Sequence, residues 1–153
     1  MIEQGDRLPA IDVALPDGGR APVGGAGGRP LVLFFYPKAD TSGCTREAQD
    51  FSAAMPDFAA LGVDVLGVSR DAPAKHARFR DKYELTAPLA SDDTGALTEA
   101  FGVWIEKSMY GRKYMGMERA TYLIGADGTV LKVWRKVKVP GHAADVLTAV
   151  QAG

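Results

Sequence analysis

The chain is poor in the residues that most often announce chemistry. Its 153 residues hold a single cysteine, Cys44, and two histidines, His76 and His142. One cysteine excludes a disulfide within the chain, and a structural zinc site would need several Cys or His ligands. A lone thiol suits a reducing compartment, so a cytoplasmic location is expected. Charge of neither sign dominates: 18 Lys and Arg against 19 Asp and Glu leave a net charge of -1. That offers nucleic acid or a membrane surface no electrostatic attraction, and neither is expected as a partner. Long apolar runs are missing too. The longest, residues 31–36 between Pro30 and Pro37, falls far short of the ~20 residues that span a bilayer. The start, Met1-Ile2-Glu3-Gln4-Gly5-Asp6, lacks the basic residues and apolar run of a secretory signal.

What is present suffices for one domain over residues 1–153. The hydrophobic fraction is 46%, and at this length roughly two-thirds of the unfolded surface is buried on folding. No repeat or long linker divides the chain. The glycine-rich stretch 23–30 lacks both the GxGxxG order and a GK[ST] ending, and it precedes a strand rather than a helix. It reads as a plain flexible turn.

Residues 11–15 and 19–23 flank Pro16-Asp17-Gly18 and predict a hairpin. Residues 31–36 read as a strand buried on both faces. A helix is expected from about Ser42, with Ala48, Phe51, Met55 and Phe58 on one stripe at spacings of 3, 4 and 3. Pro56 lies inside that stripe and is expected to kink or break it. Residues 63–69 predict a second buried strand, and 73–83 a helix with Pro73 in its first turn. A short strand at 88–90 follows, then a short helix through Phe101 capped by Asp93 or Thr94. Residues 102–118 show no clean period and read as an excursion. Segments 120–124 and 129–137 flank Asp127-Gly128, a strong hairpin signal, and 141–150 closes the chain as a helix. The expected fold is α/β: a mixed central sheet flanked by helices on both faces, thioredoxin-like, with an N-terminal hairpin.

The chemistry concentrates where the first buried strand ends. Pro37 stops it, a short loop follows, and Cys44 falls in the first turn of a helix for which Thr41 is the candidate N-cap. Free N–H groups and the positive end of the helix dipole then surround the sulfur. The thiolate is the nucleophile, and an ordinary cysteine with a pKa of ~8.5 is only about 3% thiolate at pH 7. Lowering such a pKa to ~6 takes roughly 3.4 kcal/mol, whereas a helix terminus gives about 0.3–1 kcal/mol, up to about 2 when partly buried. A fixed cation from elsewhere in the chain is required. Many free cysteines are small buried hydrophobes instead, but the neighbours Ser42, Gly43, Thr45 and Arg46 do not read as a core.

The order Pro37, Thr41, Cys44 resembles the PxxxTxxC motif of peroxiredoxins. The string Tyr-Pro-Lys-Ala-Asp-Thr-Ser-Gly-Cys-Thr-Arg-Glu over 36–47 resembles the Q-type subfamily, also called bacterioferritin-comigratory proteins. The likeness continues through 65–69, 107–118 and 119–122. It implies a thiol-dependent peroxidase acting on hydrogen peroxide and organic hydroperoxides, with no cofactor and no metal. It also implies that Cys44 is the peroxidatic cysteine, that the Thr41 hydroxyl bonds the peroxide, that Pro37 shields the pocket, and that Arg119 is the activating cation. Arg119 by itself reads as a surface residue at a strand end. Glu47, one turn after Cys44 on the same helix face, either orients Arg119 or is a solvated helix glutamate.

One departure matters. Many Q-type members carry a resolving cysteine five residues after the first, and here that position is Gln49. The implied route is a sulfenic acid reduced by an external thiol, with glutathione, glutaredoxin or thioredoxin as donor, in a monomer or a weak homodimer. Rival readings are a peroxide sensor that relays oxidation from Cys44 to a partner protein, and a non-catalytic thioredoxin-fold interaction module. The basic, aromatic segment 110–116 reads as a loop near the active-site mouth. Lys132, Lys136 and Lys138 read as the solvated face of a strand, and His76 as an exposed residue of a polar helix.

Overall fold

The computed structural model describes residues 1–25 and 27–152. β1 (Ile11–Ala14) and β2 (Arg20–Val23) form the expected hairpin. β3 (Leu31–Phe35) shows why its sequence is apolar throughout. Val32 and Phe34, with Tyr36 just beyond, enter one core, while Leu33 and Phe35 enter the other. α1 (Ser42–Ala60), β4 (Asp64–Ser69), α2 (Pro73–Tyr83), β5 (Leu89–Ser91) and α3 (Ala96–Phe101) follow. After them come β6 (Trp104–Met109), β7 (Arg112–Met117), β8 (Ala120–Ile124), β9 (Val130–Trp134) and α4 (His142–Ala152).

Among the described residues seven strands pair in the order β2-β1-β5-β4-β3-β8-β9. β3 runs parallel to β4 and antiparallel to β8, with Phe35 opposite Ala120. Phe51 and Phe58 of α1, Phe79 of α2 and Val146 of α4 pack on one face; Leu97 and Phe101 of α3 pack on the other. The mixed sheet with helices on both faces is therefore as expected. Phe34 stacks on Phe51 with ring centres 4.4 Å apart, and Gly67 makes room for it, since a Cβ there would run into the Phe34 ring. Among the described residues no helix is long and apolar enough to cross a membrane.

Pro56 does not break α1, which continues to Ala60. Proline removes the N–H that would bond the carbonyl of Ser52, and Thr86 Oγ1 donates to that carbonyl instead, at 3.1 Å. Thr86→Val keeps the shape and removes the donor. A loss of about 0.5–1 kcal/mol is expected, read as a melting temperature lower by roughly 2 °C; an unchanged value would mean that water serves the carbonyl as well.

Three other expectations are corrected. Neither Asp93 nor Thr94 occupies the N-cap of α3, which is Gly95. Asp92, just upstream, accepts from the N–H groups of Leu97 and Thr98 at 3.2 and 2.8 Å, and Asp93 pairs with Arg20 instead. Residues 102–118 are mostly a hairpin of β6 and β7. Tyr110 and Gly111 at its turn both have positive φ, 52° and 77°, as a tight two-residue turn requires. Only Met117 of that ribbon is fully buried, so no alternation marked it in the sequence. β9 ends at Trp134, so Lys132 alone of the three lysines lies on a strand; Lys136 has a positive φ of 49°. In the glycine-rich stretch Ala26 lies outside the described residues. Elsewhere in the stretch Gly25 N–H bonds Leu8 O at 2.8 Å and Gly28 N–H bonds Ala126 O at 3.1 Å.

Candidate active site

The antiparallel pairing of β3 with β8 brings the exit of one strand beside the entry of the other. The loop 37–41 leaves β3 and leads into α1, while Arg119 precedes β8. Thr41 is the N-cap of α1 by backbone conformation, but its hydroxyl does not cap the helix; it donates to Lys38 O at 2.7 Å. The first bond of the helix is Thr45 N–H to Thr41 O, 2.8 Å. The N–H groups of Ser42, Gly43 and Cys44 precede it and have no partner within the helix.

Cys44 is 2% exposed. Arg119 Nη2 lies 3.4 Å from its sulfur, and Arg119 Nη1 donates to Glu47 Oε1 at 2.7 Å. The flat fork of the guanidinium thus spans both partners. Gly43 permits the approach, for a Cβ there would sit 3.3 Å from Arg119 Nη2. Arg46, the other cation near Cys44 in sequence, is exposed and pairs with Asp50 at 3.1 Å. Burial works against the charge on Arg119, but Glu47 and Cys44 outweigh it and hold the guanidinium above its ordinary value. Pro37 follows β3, half-buried.

Glu47 is not a solvated helix glutamate. It is 1% exposed, and its Oε2 has no hydrogen-bond partner among the described residues. Burial pushes its carboxyl from 4.5 up to about 7, against the pull of Arg119. A carboxyl whose folded pKa is raised binds its proton more tightly in the fold. Its contribution to stability is therefore complete below about 4.5 and is lost as pH rises through about 7. Glu47→Gln removes this titration. Between pH 5 and 8 the melting temperature of the variant should rise relative to that of the unmodified protein; parallel curves would show that Glu47 does not titrate there.

Beneath the loop lies a second polar cluster that sequence reading missed. His76 is fully buried, not exposed. Its Nε2 lies 2.6 Å from Tyr36 Oη and 2.9 Å from Ser69 Oγ, and its Nδ1 lies 2.8 Å from Ser91 Oγ. Burial pushes its pKa down to about 4, so it is neutral at pH 7. Ser69 Oγ donates to Asp71 Oδ2 at 2.6 Å, and the same oxygen accepts Ala39 N–H at 2.7 Å. Asp40, at a positive φ of 61°, accepts from Tyr83 Oη at 2.6 Å and from Lys82 Nζ at 3.0 Å. A further buried pair, Thr121 Oγ1 with His142 Nε2 at 2.7 Å, lies on β8 and α4. Among the described residues no group of His, Cys, Asp and Glu is placed to hold a metal ion.

Residues 5–133 match the AhpC/TSA family. Peroxiredoxin Bcp of Xanthomonas campestris pv. campestris is 45% identical over 149 residues, covering 95% of this chain and 93% of that one. Peroxiredoxin Bcp of Bacillus subtilis is 41% identical over 150 residues, 98% of this chain and 96% of its own. Among solved structures, a cysteine-to-serine mutant of PrxQ from Xylella fastidiosa aligns with a TM-score of 0.94 at 38% identity, over 99% of this chain and 97% of that one. The bacterioferritin comigratory protein of Xanthomonas campestris, studied for alkyl peroxide reduction, aligns with a TM-score of 0.87 at 44% identity, over 93% and 90%. Peroxiredoxin Q of that organism has been solved with each of two different cysteines replaced by serine, so it carries a second cysteine where this chain has one. By sequence match over nearly its whole length and by its thioredoxin fold, the chain belongs to the AhpC/TSA family, as a thiol peroxidase of the Bcp, or Q, type of peroxiredoxin.

Proposed function

We propose that Cys44 is the peroxidatic cysteine of a one-cysteine mechanism in which an external thiol completes the cycle. The observation that carries this is the 3.4 Å contact between Arg119 Nη2 and the sulfur at the start of α1, in a chain with no second cysteine. The Cys44 thiolate attacks one oxygen of hydrogen peroxide or an organic hydroperoxide. The O–O bond breaks, and the departing oxygen takes a proton and leaves as water or an alcohol. Arg119 and the free N–H groups of the first turn stabilise the negative charge as it moves from sulfur to the departing oxygen. The Thr41 hydroxyl holds the peroxide, Pro37 keeps bulk water from the sulfur, and Glu47 orients Arg119.

Cys44 is left as a sulfenic acid. A thiol then displaces water to give a mixed disulfide, and a second thiol releases Cys44 and carries the oxidation away as a disulfide. Glutathione, glutaredoxin or thioredoxin supplies these thiols, in the cytoplasm, to a chain acting as a monomer. The test compares peroxide consumption with each of the three donor systems, with Cys44→Ser as the blank. Sustained consumption with at least one donor and none by the blank is expected; turnover by Cys44→Ser would overturn the assignment.

A further inference from the structure

We propose that Asp71 is a positioning residue for the peroxidase reaction, fixing from the α2 side the loop that presents Thr41 to the peroxide. This rests on the roles given above to Cys44 and Thr41. The loop 37–41 has little backbone bonding of its own. Tyr36 N–H bonds Val68 O before it, and Thr41 O accepts the first helical bond after it. Between those points its polar ties run mainly to the segment that contains α2. Asp71 holds Ala39 N–H at 2.7 Å, and Lys82 and Tyr83, in the last turn of α2, hold the carboxylate of Asp40.

Asp71 is itself held. Its Oδ2 takes the Ser69 hydroxyl at 2.6 Å, its own N–H bonds Ser69 Oγ at 3.2 Å, and Lys75 Nζ pairs with Oδ1 at 3.1 Å. Ser69 rests in turn on the buried, neutral ring of His76. Although burial pushes the Asp71 carboxyl up, the bonds from Ser69, Ala39 and Lys75 keep it below its ordinary value. A charged acceptor therefore sits on a fixed polar bed and grips the middle of the loop.

The grip bears on Thr41 and not on the sulfur. The Thr41 hydroxyl donates to Lys38 O, so its direction follows the turn of residues 38–41 that the Ala39 bond fixes. Cys44 is held separately, by α1 and by Arg119. Loss of Asp71 should displace the hydroxyl that meets the peroxide while leaving the thiol and its cation in place. A role in stability alone would affect both alike.

The test measures two reactions of Cys44 in each protein, with hydrogen peroxide and with iodoacetamide, an alkylating agent that makes no use of the Thr41 hydroxyl. In Asp71→Ala the peroxide rate constant should fall about 10–100-fold, the scale of a misplacement near 1 Å, while alkylation slows less than about threefold. Asp71→Asn keeps an oxygen for Ala39 N–H and should recover most of the loss. Lys75→Met removes the cation that holds Asp71 Oδ1 and should lower the peroxide rate selectively by a smaller factor; it decides the matter if Asp71→Ala does not fold. Equal losses in both reactions, or none in either, would overturn the proposal. An unmodified chain that consumes peroxide no faster than Cys44→Ser defeats the reading of Cys44 itself, and does so before any Asp71 variant is measured.

Discussion

Replacing Arg119 by Met is expected to slow the reaction of Cys44 with peroxide by about 10²–10³-fold, the usual cost of removing one preorganised donor from developing charge. The volume is largely kept; the charge 3.4 Å from the sulfur is lost. The effect on stability is smaller and depends on pH. Arg119 is the one partner that opposes the burial of the Glu47 carboxyl, already pushed up to about 7. Without Arg119 that carboxyl moves higher and is protonated at neutral pH, so no naked charge is left in the core. Stranding such a charge would cost about 3–5 kcal/mol; a neutral acid costs less. The variant should therefore melt close to the unmodified protein at pH 6 and clearly below it at pH 8.5, where the fold must keep on Glu47 a proton that the unfolded chain has lost. Arg119→Lys restores charge without the fork that reaches Glu47 and Cys44 together and should fall between. Peroxide consumption by Arg119→Met within about threefold of the unmodified rate would remove Arg119 from the mechanism.

Without a thiol donor, one chain should consume one equivalent of peroxide and stop. Mass spectrometry should then show a single added oxygen on the peptide carrying Cys44. Further peroxide should add a second and third oxygen and end activity permanently, because no thiol in the chain intercepts the sulfenic acid. A cysteine that is only 2% exposed also disfavours a link between two copies. Gln49→Cys tests the point from the other side. Position 49 is exposed on α1, five residues beyond Cys44 on the same helix, so a disulfide between them requires the helix to unwind. Unwinding would pull Ala48 and Phe51, both fully buried, out of the core. The disulfide should therefore form more slowly than Cys44 overoxidises at high peroxide, giving partial protection only. Sustained consumption by the unmodified chain with no donor present would contradict the one-cysteine route.

What the sequence disclosed follows from which interactions are local. β3 and the stripe of α1 were legible because burial repeats at a period visible within a dozen residues. The turn that carries Cys44 was legible because strand, proline, loop and helix start lie in one segment. Arg119 lies 75 positions from Cys44 and was legible only through the resemblance to peroxiredoxins. The fully buried setting of His76 escaped notice because α2 is polar on most of its surface, while the groups that satisfy the ring, Tyr36, Ser69 and Ser91, come from three strands or their ends. Pro56 misled for the same reason: the hydroxyl that replaces its missing bond comes from Thr86, beyond β4 and α2. The β6–β7 ribbon left no pattern because both of its faces are largely open to water.

The register that sets Phe35 opposite Ala120 also bears on when reactivity arises. The cation that distinguishes Cys44 from a thiol on a free peptide arrives with the pairing of β3 and β8. That pairing closes a loop spanning more than half of the chain. Contacts so far apart in sequence are slow to form, and a slip of one residue would turn side chains of β8 to the opposite face. A chain still folding, or one folded as far as α1 and β4, carries a cysteine without its cation. Such a chain has little means of spending its only thiol on peroxide before the protein is complete.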